Sequence, residues 1–403
     1  MTQPYQITIE MPKAITVQQE RDLVREALAK NPVSLVLKRR LAAMLVITNE
    51  FEEAVDLFDQ IIALDAEPKV ASYSSLAQAL LSRENEADTI RAGDAARKAL
   101  ALAVNPAERS HVLAQVGKVQ ARLGDVALAR DSLAQALVEN PENKEAYKRL
   151  VAVYFAAKQP GDIVALSDGL LAKGVNHSRL LGSRTMALAQ LGKIAAAQEA
   201  GGLDHFCYRD RLSPPVGWGD MDEFNAGLAA EMMNHPALRL DRYGAAARNT
   251  WQIYEPATGN PPHVAALQKM ILAQVDRFGD SLSGHDHPWA RARPARGIFK
   301  NWCLINGGEG FVDWHVHQSG WLSGVYYVAV PKRVCDGDDL GGCLALGLPE
   351  NLVGEQAAAD YGMHVIRPEP GLLAMFPGHS FHRTFAHGTS ENRICFAFDV
   401  WPG

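Results

Sequence analysis

The segment DWHVH, residues 313–317, sets two imidazoles two positions apart at the head of a strand-like run, WLSGVYYVAV. A β-strand alternates its faces, so His315 and His317 point to the same side. Two imidazoles held that way can chelate one divalent cation; they are also compatible with a strand simply leaving solvent. A metal site needs a further ligand, and the segment MFPGHSFHRTFAHG offers His379, His382 and His387. Eleven residues beyond His382, Arg393 opens the strand-like RICFAFDVW. Its planar guanidinium suits a two-pronged contact with a carboxylate. The alternative is a surface ion pair. On that strand Arg393, Cys395 and Ala397 share a face, small beyond the arginine, whereas Ile394, Phe396, Phe398 and Val400 are bulky. This favours an inward arginine with room beside it. Asp399 falls on the same face, and no role follows for it from the pattern. Asp313 has the parity of the two histidines and is a candidate carboxylate, as a ligand or behind one. Asp339 is a weaker source, because GDDLGG reads as a tight turn.

The elements that must position these residues change along the chain. From about 297 onward short strands alternate with Gly, Pro and Asp turns: GIFKNWCLI, WLSGVYYVAV, CLALGL, GMHVI, LLAMFP and RICFAFDVW. Such spacing points to an antiparallel sandwich or small barrel. GGEG at 307–310 reads as a hairpin turn within it. Ahead of the strands lie two helical patterns, about 221–234 and 262–278, the first capped by Asp220 or Asp222. Residues 203–220 (LDHFCYRDRLSPPVGWGD) read as an irregular connector.

From about 17 to 200 the sequence is rich in Ala and Leu and nearly free of strand signals. Punctuation recurs at Asn31-Pro32, Pro68, Asn105-Pro106, Asn140-Pro141 and Gly174-Val175-Asn176, a period of about 35 residues. Inside each unit a turn separates two helical patterns, as at Thr48-Asn49-Glu50, Leu123-Gly124-Asp125 and Leu191-Gly192-Lys193. In LGDVALARDSLAQALVENP, Gly124 ends one helix because it tolerates positive φ, and Pro141 stops the next. Between them Ala127, Leu128, Leu133, Ala134 and Leu137 fall on one stripe. One such helix pair cannot bury its own apolar face, so stacking supplies the core and leaves a concave surface.

The bulk numbers bound the remainder. A chain of 403 residues favours two to three domains. A hydrophobic share of 47% with 21% charged is ordinary globular composition. A formal net charge of -6 gives no bulk attraction for nucleic acid. The tryptophans and tyrosines from 302 to 327 read as core and pocket wall, not as a stacking platform. No stretch of about 18 uncharged apolar residues occurs, so no membrane association is expected. The N-terminus lacks the basic head and apolar core of a signal peptide. Five scattered cysteines suit reduced thiols and a cytoplasmic location. Cys335 and Cys343 lack CxxC spacing, which argues against zinc, and no phosphate-binding glycine loop is present.

Two resemblances sharpen this reading. Residues 17–202 resemble the tetratricopeptide family, with four to five repeats, which implies a protein or peptide partner on the concave face. Residues from about 205 to 401 resemble the Fe(II)- and 2-oxoglutarate-dependent oxygenases related to prolyl hydroxylases. The matching stretches are His315-Val-His317 followed by SGVYYV, the turn and strand GGCLAL, FPGHSFH and NRICFAFDVW, in that order. The helical approach RNTWQIYEP and HVAALQKMI fits as well.

The resemblance implies a double-stranded β-helix (jelly roll) with flanking helices. The expected fold class is therefore multidomain, a tetratricopeptide α-solenoid joined to an α+β domain. The expected partition is an extension over 1–16, the array over 17–202 and the jelly roll over 203–403. The resemblance assigns metal-ligand positions to His315, His317 and His382, selecting His382 over His379 and His387. It gives Arg393 the far carboxylate of 2-oxoglutarate, with Tyr327 beside it; Ser323 and Val325 share the face of Tyr327 and are expected to line the cosubstrate pocket, Ser323 as a binding residue. The cofactors implied are Fe(II) and 2-oxoglutarate, and the activity is hydroxylation of a protein, peptide or carrier-bound substrate. His317 departs from the pattern, because the usual triad is two histidines and a carboxylate. Two other functions therefore stay open: a repeat scaffold with a non-catalytic barrel, and a three-histidine dioxygenase without 2-oxoglutarate.

Overall fold

The structure is a computed structural model that describes residues 6–10, 13–240 and 246–403. The chain divides into two compact units, one of residues 15–162 and one of 163–403 with the N-terminal segment.

The first unit is a run of antiparallel helices: Val17–Lys30, Leu35–Ile47, Phe51–Leu64, Val70–Leu81, Glu86–Leu102, Pro106–Arg122, Val126–Glu139 and Lys144–Ala156. Ser34, Asn85, Asn105 and Asn143 start four of them, each side chain accepting a backbone N–H of the first turn. The paired helices turn through one left-handed residue each time: Asn49, Glu84, Gly124 and Lys158. Small residues let the helices approach. A Cβ on Gly117 would lie 2.6 Å from Leu133. Ala54, Ala77, Ala92 and Ala96 are fully buried. This is the tetratricopeptide-type solenoid expected from the period.

The second unit is β-rich. Its strands are β1 (Gln6–Ile9), β2 (Tyr208–Arg211), β3 (Arg239–Leu240), β4 (Ala247–Ile253), β5 (Arg296–Val312), β6 (Leu322–Ala329), β7 (Leu344–Leu346), β8 (His364–Ile366), β9 (Leu372–Pro377), β10 (His382–Thr384) and β11 (Arg393–Pro402). One sheet runs β2-β9-β6-β11-β5-β4-β3, with β1 parallel to β5; the other runs β10-β7-β8. A backbone bridge between His315 and His382 extends the smaller sheet by one step. From β5 onward the chain therefore passes back and forth between the sheets, which is the double-stranded β-helix. Phe299, Phe396 and Phe398 of β5 and β11 are buried on the sheet face where Tyr326, opposite Phe396, donates to Asn225 of helix Met221–Met233; helix Pro262–Ser281 packs on that helix in turn.

The structure corrects the sequence reading in four places. GGEG is not a turn; β5 runs straight through it. Its glycines serve close approach, since a Cβ on Gly308 would lie 2.5 Å from Thr389 O and one on Gly310 2.7 Å from Asn249 O. RNTWQI is strand β4, paired with β5, not a helical approach. The supposed connector after 203 contains β2, which closes an edge of the large sheet against β9. Finally, the compact β-rich unit begins at 163, not 203. Helices Ser178–Gln190 and Ile194–Gly201 keep the helical grammar of the array, but they pack on Glu350–Val353 and Glu355–Tyr361. Gln198 Nε2 donates to Tyr361 O at 3.0 Å, and Ser178 Oγ donates to Gly320 O. Of the expected extension, residues 1–5 and 11–12 lie outside the described residues, and Gln6–Ile9 is a strand. No helix of the described residues is long and apolar enough to cross a membrane.

Candidate metal centre

His315 stands in the turn after β5, His317 two residues on, and His382 opens β10. Main-chain bonds fix all three. His315 N donates to His382 O at 3.1 Å, His382 N returns to His315 O at 3.0 Å, and His317 N donates to Gly378 O at 3.2 Å. The ring centroids of His315 and His382 lie 4.0 Å apart, and those of His317 and His382 4.9 Å. One ligand atom from each of the three lies within 4.8 Å of the others. His382 is buried and the other two are half-buried.

The tautomers follow from the outer contacts. His315 Nδ1 lies 2.9 Å from Asp313 O, and His382 Nδ1 lies 3.0 Å from Ser380 O. A carbonyl can only accept, so both Nδ1 atoms carry the proton. His317 Nδ1 lies 2.5 Å from the Asp399 carboxylate, which imposes the same form. Three unprotonated Nε2 atoms are left, and those of His315 and His317 stand 3.0 Å apart. Burial, with the neighbouring imidazoles second, lowers the pKa of His315 to about 3 and holds His382 well below the usual histidine range. Lone pairs facing one another without a proton between them suit a cation. The donor set thus fits a divalent metal with nitrogen preference.

Arg393 begins β11 and is 1% exposed. Its Nη1 donates to Gly342 O at 2.6 Å, and its Nη2 donates to Asn306 Oδ1 at 2.8 Å and Thr384 Oγ1 at 3.4 Å. Its Nε has no partner among the described residues, and no carboxylate there pairs with it. A buried guanidinium without an anion is costly, so the fold holds a cation that lacks its counter-charge. Tyr327, also 1% exposed, lies in the same neighbourhood; burial raises its hydroxyl pKa, and the charge of Arg393 pulls it the other way. Between the histidine end and the arginine end, the facing strands carry Val325, Ala397 and Cys395, small to medium side chains.

The remaining residues singled out in the sequence fall elsewhere. Ser323 sits at the histidine end, where its Oγ donates to Asp399 at 2.7 Å. The Asp313 carboxylate pairs with Arg248 at 3.1 Å, and only its carbonyl meets His315. His379 Nε2 lies 3.1 Å from Gly201 O, and His387 lies against Thr389 and Asn306 O, so neither joins the cluster. Sequence reasoning missed Asn306 and Thr384 as holders of Arg393. It also left Asp399 without a role, although an acid in the apolar strand RICFAFDVW is itself a signal, because a buried carboxylate must have partners.

Fold and site together define a class: a helix-pair repeat array joined to a jelly-roll domain with a cluster of three histidines that could hold a metal ion. Residues 300–399, which contain every histidine of the cluster together with Ser323, Tyr327, Arg393 and Asp399, match a family model described as "Putative 2OG-Fe(II) oxygenase". A curated relative, the cellulose synthase operon protein C of Pseudomonas fluorescens (strain SBW25), is 26% identical over 261 residues, 64% of this chain and 20% of that protein. The chain thus spans a fifth of that relative's length. Similar solved structures include a Pseudomonas putida prolyl-4-hydroxylase (18% identity, TM-score 0.34, 51% of this chain and 99% of that one). They also include PilW, a type IV pilus biogenesis factor (19%, TM-score 0.39, 46% and 83%), and YrrB, a tetratricopeptide protein with an unusual peptide-binding site (18%, TM-score 0.33, 45% and 91%).

Proposed function

We propose that the chain is an Fe(II)- and 2-oxoglutarate-dependent oxygenase that hydroxylates a protein, peptide or carrier-bound substrate recruited by the repeat array. The observation that carries the cosubstrate is Arg393, buried, with no carboxylate partner among the described residues, in the domain that gathers three imidazole lone pairs. His315, His317 and His382 would hold the iron. Arg393, with Tyr327 beside it, would hold the far carboxylate of 2-oxoglutarate, and Asn306, Gly342 and Thr384 keep the guanidinium aimed. Bound there, the two supply oxidative decarboxylation of the cosubstrate coupled to hydroxylation by dioxygen. The chain's share is orientation and exclusion of water: Trp302 and Phe376 pack on His317 and His382. Five free thiols support a reducing, cytoplasmic setting.

The test is coupled turnover. His382→Ala is expected to abolish succinate formation from 2-oxoglutarate; near-wild-type succinate in that variant rejects the site. The imidazole at 317, where relatives of this chemistry use a carboxylate, favours one second reading, a three-histidine dioxygenase that needs no cosubstrate. Oxygen consumption with iron alone, indifferent to 2-oxoglutarate, would select it.

A further inference from the structure

We propose that Asp399 is the anionic member of the metal centre, held one imidazole behind the metal instead of in contact with it. The inference rests on reading the histidine cluster as a metal site. A site of two histidines and a carboxylate carries a negative charge among its ligands. Three neutral imidazoles carry none. Asp399 Oδ1 lies 2.5 Å from His317 Nδ1, on the side of the ring away from the cluster. The same oxygen accepts from Ser323 Oγ at 2.7 Å, and Trp401 Nε1 donates to Oδ2 at 3.2 Å.

The strand register places this carboxylate, since Asp399 stands opposite Ser323 in the β6–β11 ladder. Gly320 leaves it room; a Cβ there would lie 3.0 Å from Asp399 Cγ. Asp399 is 4% exposed, and no lysine or arginine pairs with it among the described residues. Its charge is therefore spent on the imidazole. A carboxylate on Nδ1–H fixes the tautomer and makes Nε2 a stronger donor. The charge that His317 removes from the ligand position is thus returned through His317 itself. Asp399 is a positioning residue; it touches no reacting atom.

The experiment is anaerobic calorimetric titration of Mn(II), a redox-inert stand-in for Fe(II), into the full chain. Asp399→Asn keeps the shape and loses the charge. It is expected to weaken Mn(II) binding by about 10–100-fold at unchanged stoichiometry. Binding within twofold of wild type overturns the inference and leaves the metal site standing. A wild-type chain that binds no Mn(II) overturns both. A charge-relocation pair covers the case in which Asp399→Asn folds poorly. His317→Asp combined with Asp399→Asn restores the charge at the ligand position and is expected to recover tight binding. Failure to recover it overturns the inference, because a purely structural role for Asp399 would not be rescued by moving the charge.

Discussion

At the scale of single residues, the site is a problem of where protons and charges sit. Each imidazole of the cluster has its Nδ1 engaged, so the three Nε2 atoms are left for one centre. Another buried imidazole, outside the cluster, shows the same physics. His379 Nε2 donates to Gly201 O, and its Nδ1 has no hydrogen-bond partner among the described residues; burial, then His287, lower its pKa to about 3. The unfolded chain takes up that proton near the ordinary histidine value of about 6.5 and the folded chain does not. The stability His379 contributes is therefore fully present above about pH 6.5 and declines as pH falls toward 3. The melting temperature of the metal-free chain is expected to drop across that window and to drop less steeply in His379→Gln. An equal slope in both would contradict the assignment. His315, His317 and Arg393 stood out as candidates because spacing and side-chain chemistry are local, although the structure holds the two histidines in the turn between β5 and β6 and not on a strand; His382 was chosen over His379 and His387 by the family resemblance alone. The surroundings of Asp399 were not legible in the sequence, because two of its partners, Ser323 and His317, come from the neighbouring strand and from the turn before it.

At the scale of elements, the cluster depends on a turn pressed against another turn. Gly378 N donates to Trp321 O at 2.8 Å, and Gly378 O receives His317 N. A Cβ at 378 would lie 2.1 Å from Gly320 O, a backbone atom that cannot swing away. Gly378→Ala is expected to cost about 1–3 kcal/mol of stability and to weaken Mn(II) binding, read by chemical denaturation and by calorimetry. A variant with wild-type metal affinity would show that this contact does not set His317. Close approach also explains why GGEG misled the sequence reading. Glycines before a turn and glycines under a crossing chain look alike in one dimension. The solenoid shows the converse. Its left-handed turn residues are Asn49, Glu84, Gly124 and Lys158, so only one announced itself as glycine. The period survived because the stacking of helix pairs, not the turn residue, enforces it.

At the scale of the whole molecule, the array and the jelly roll were distinguishable by grammar, but the line between them was not. Helices Ser178–Gln190 and Ile194–Gly201 read as one more repeat and belong to the β-rich unit. Their amphipathic pattern says that one face is covered without saying by what. A fragment of residues 163–403 is accordingly expected to retain Mn(II) binding and to melt well above a fragment of 203–403, which loses the backbone acceptor of His379 at Gly201. Equal melting temperatures would place those helices outside the unit. The most direct test of the central claim, that three imidazoles and a buried guanidinium form one metal and cosubstrate site, is anaerobic titration of 2-oxoglutarate into the Fe(II)-loaded full chain, followed in the visible. The expected result is a weak charge-transfer absorption that saturates at one equivalent and shifts to much higher 2-oxoglutarate in Arg393→Ala. Iron binding with no such absorption, or an identical titration in Arg393→Ala, would contradict it.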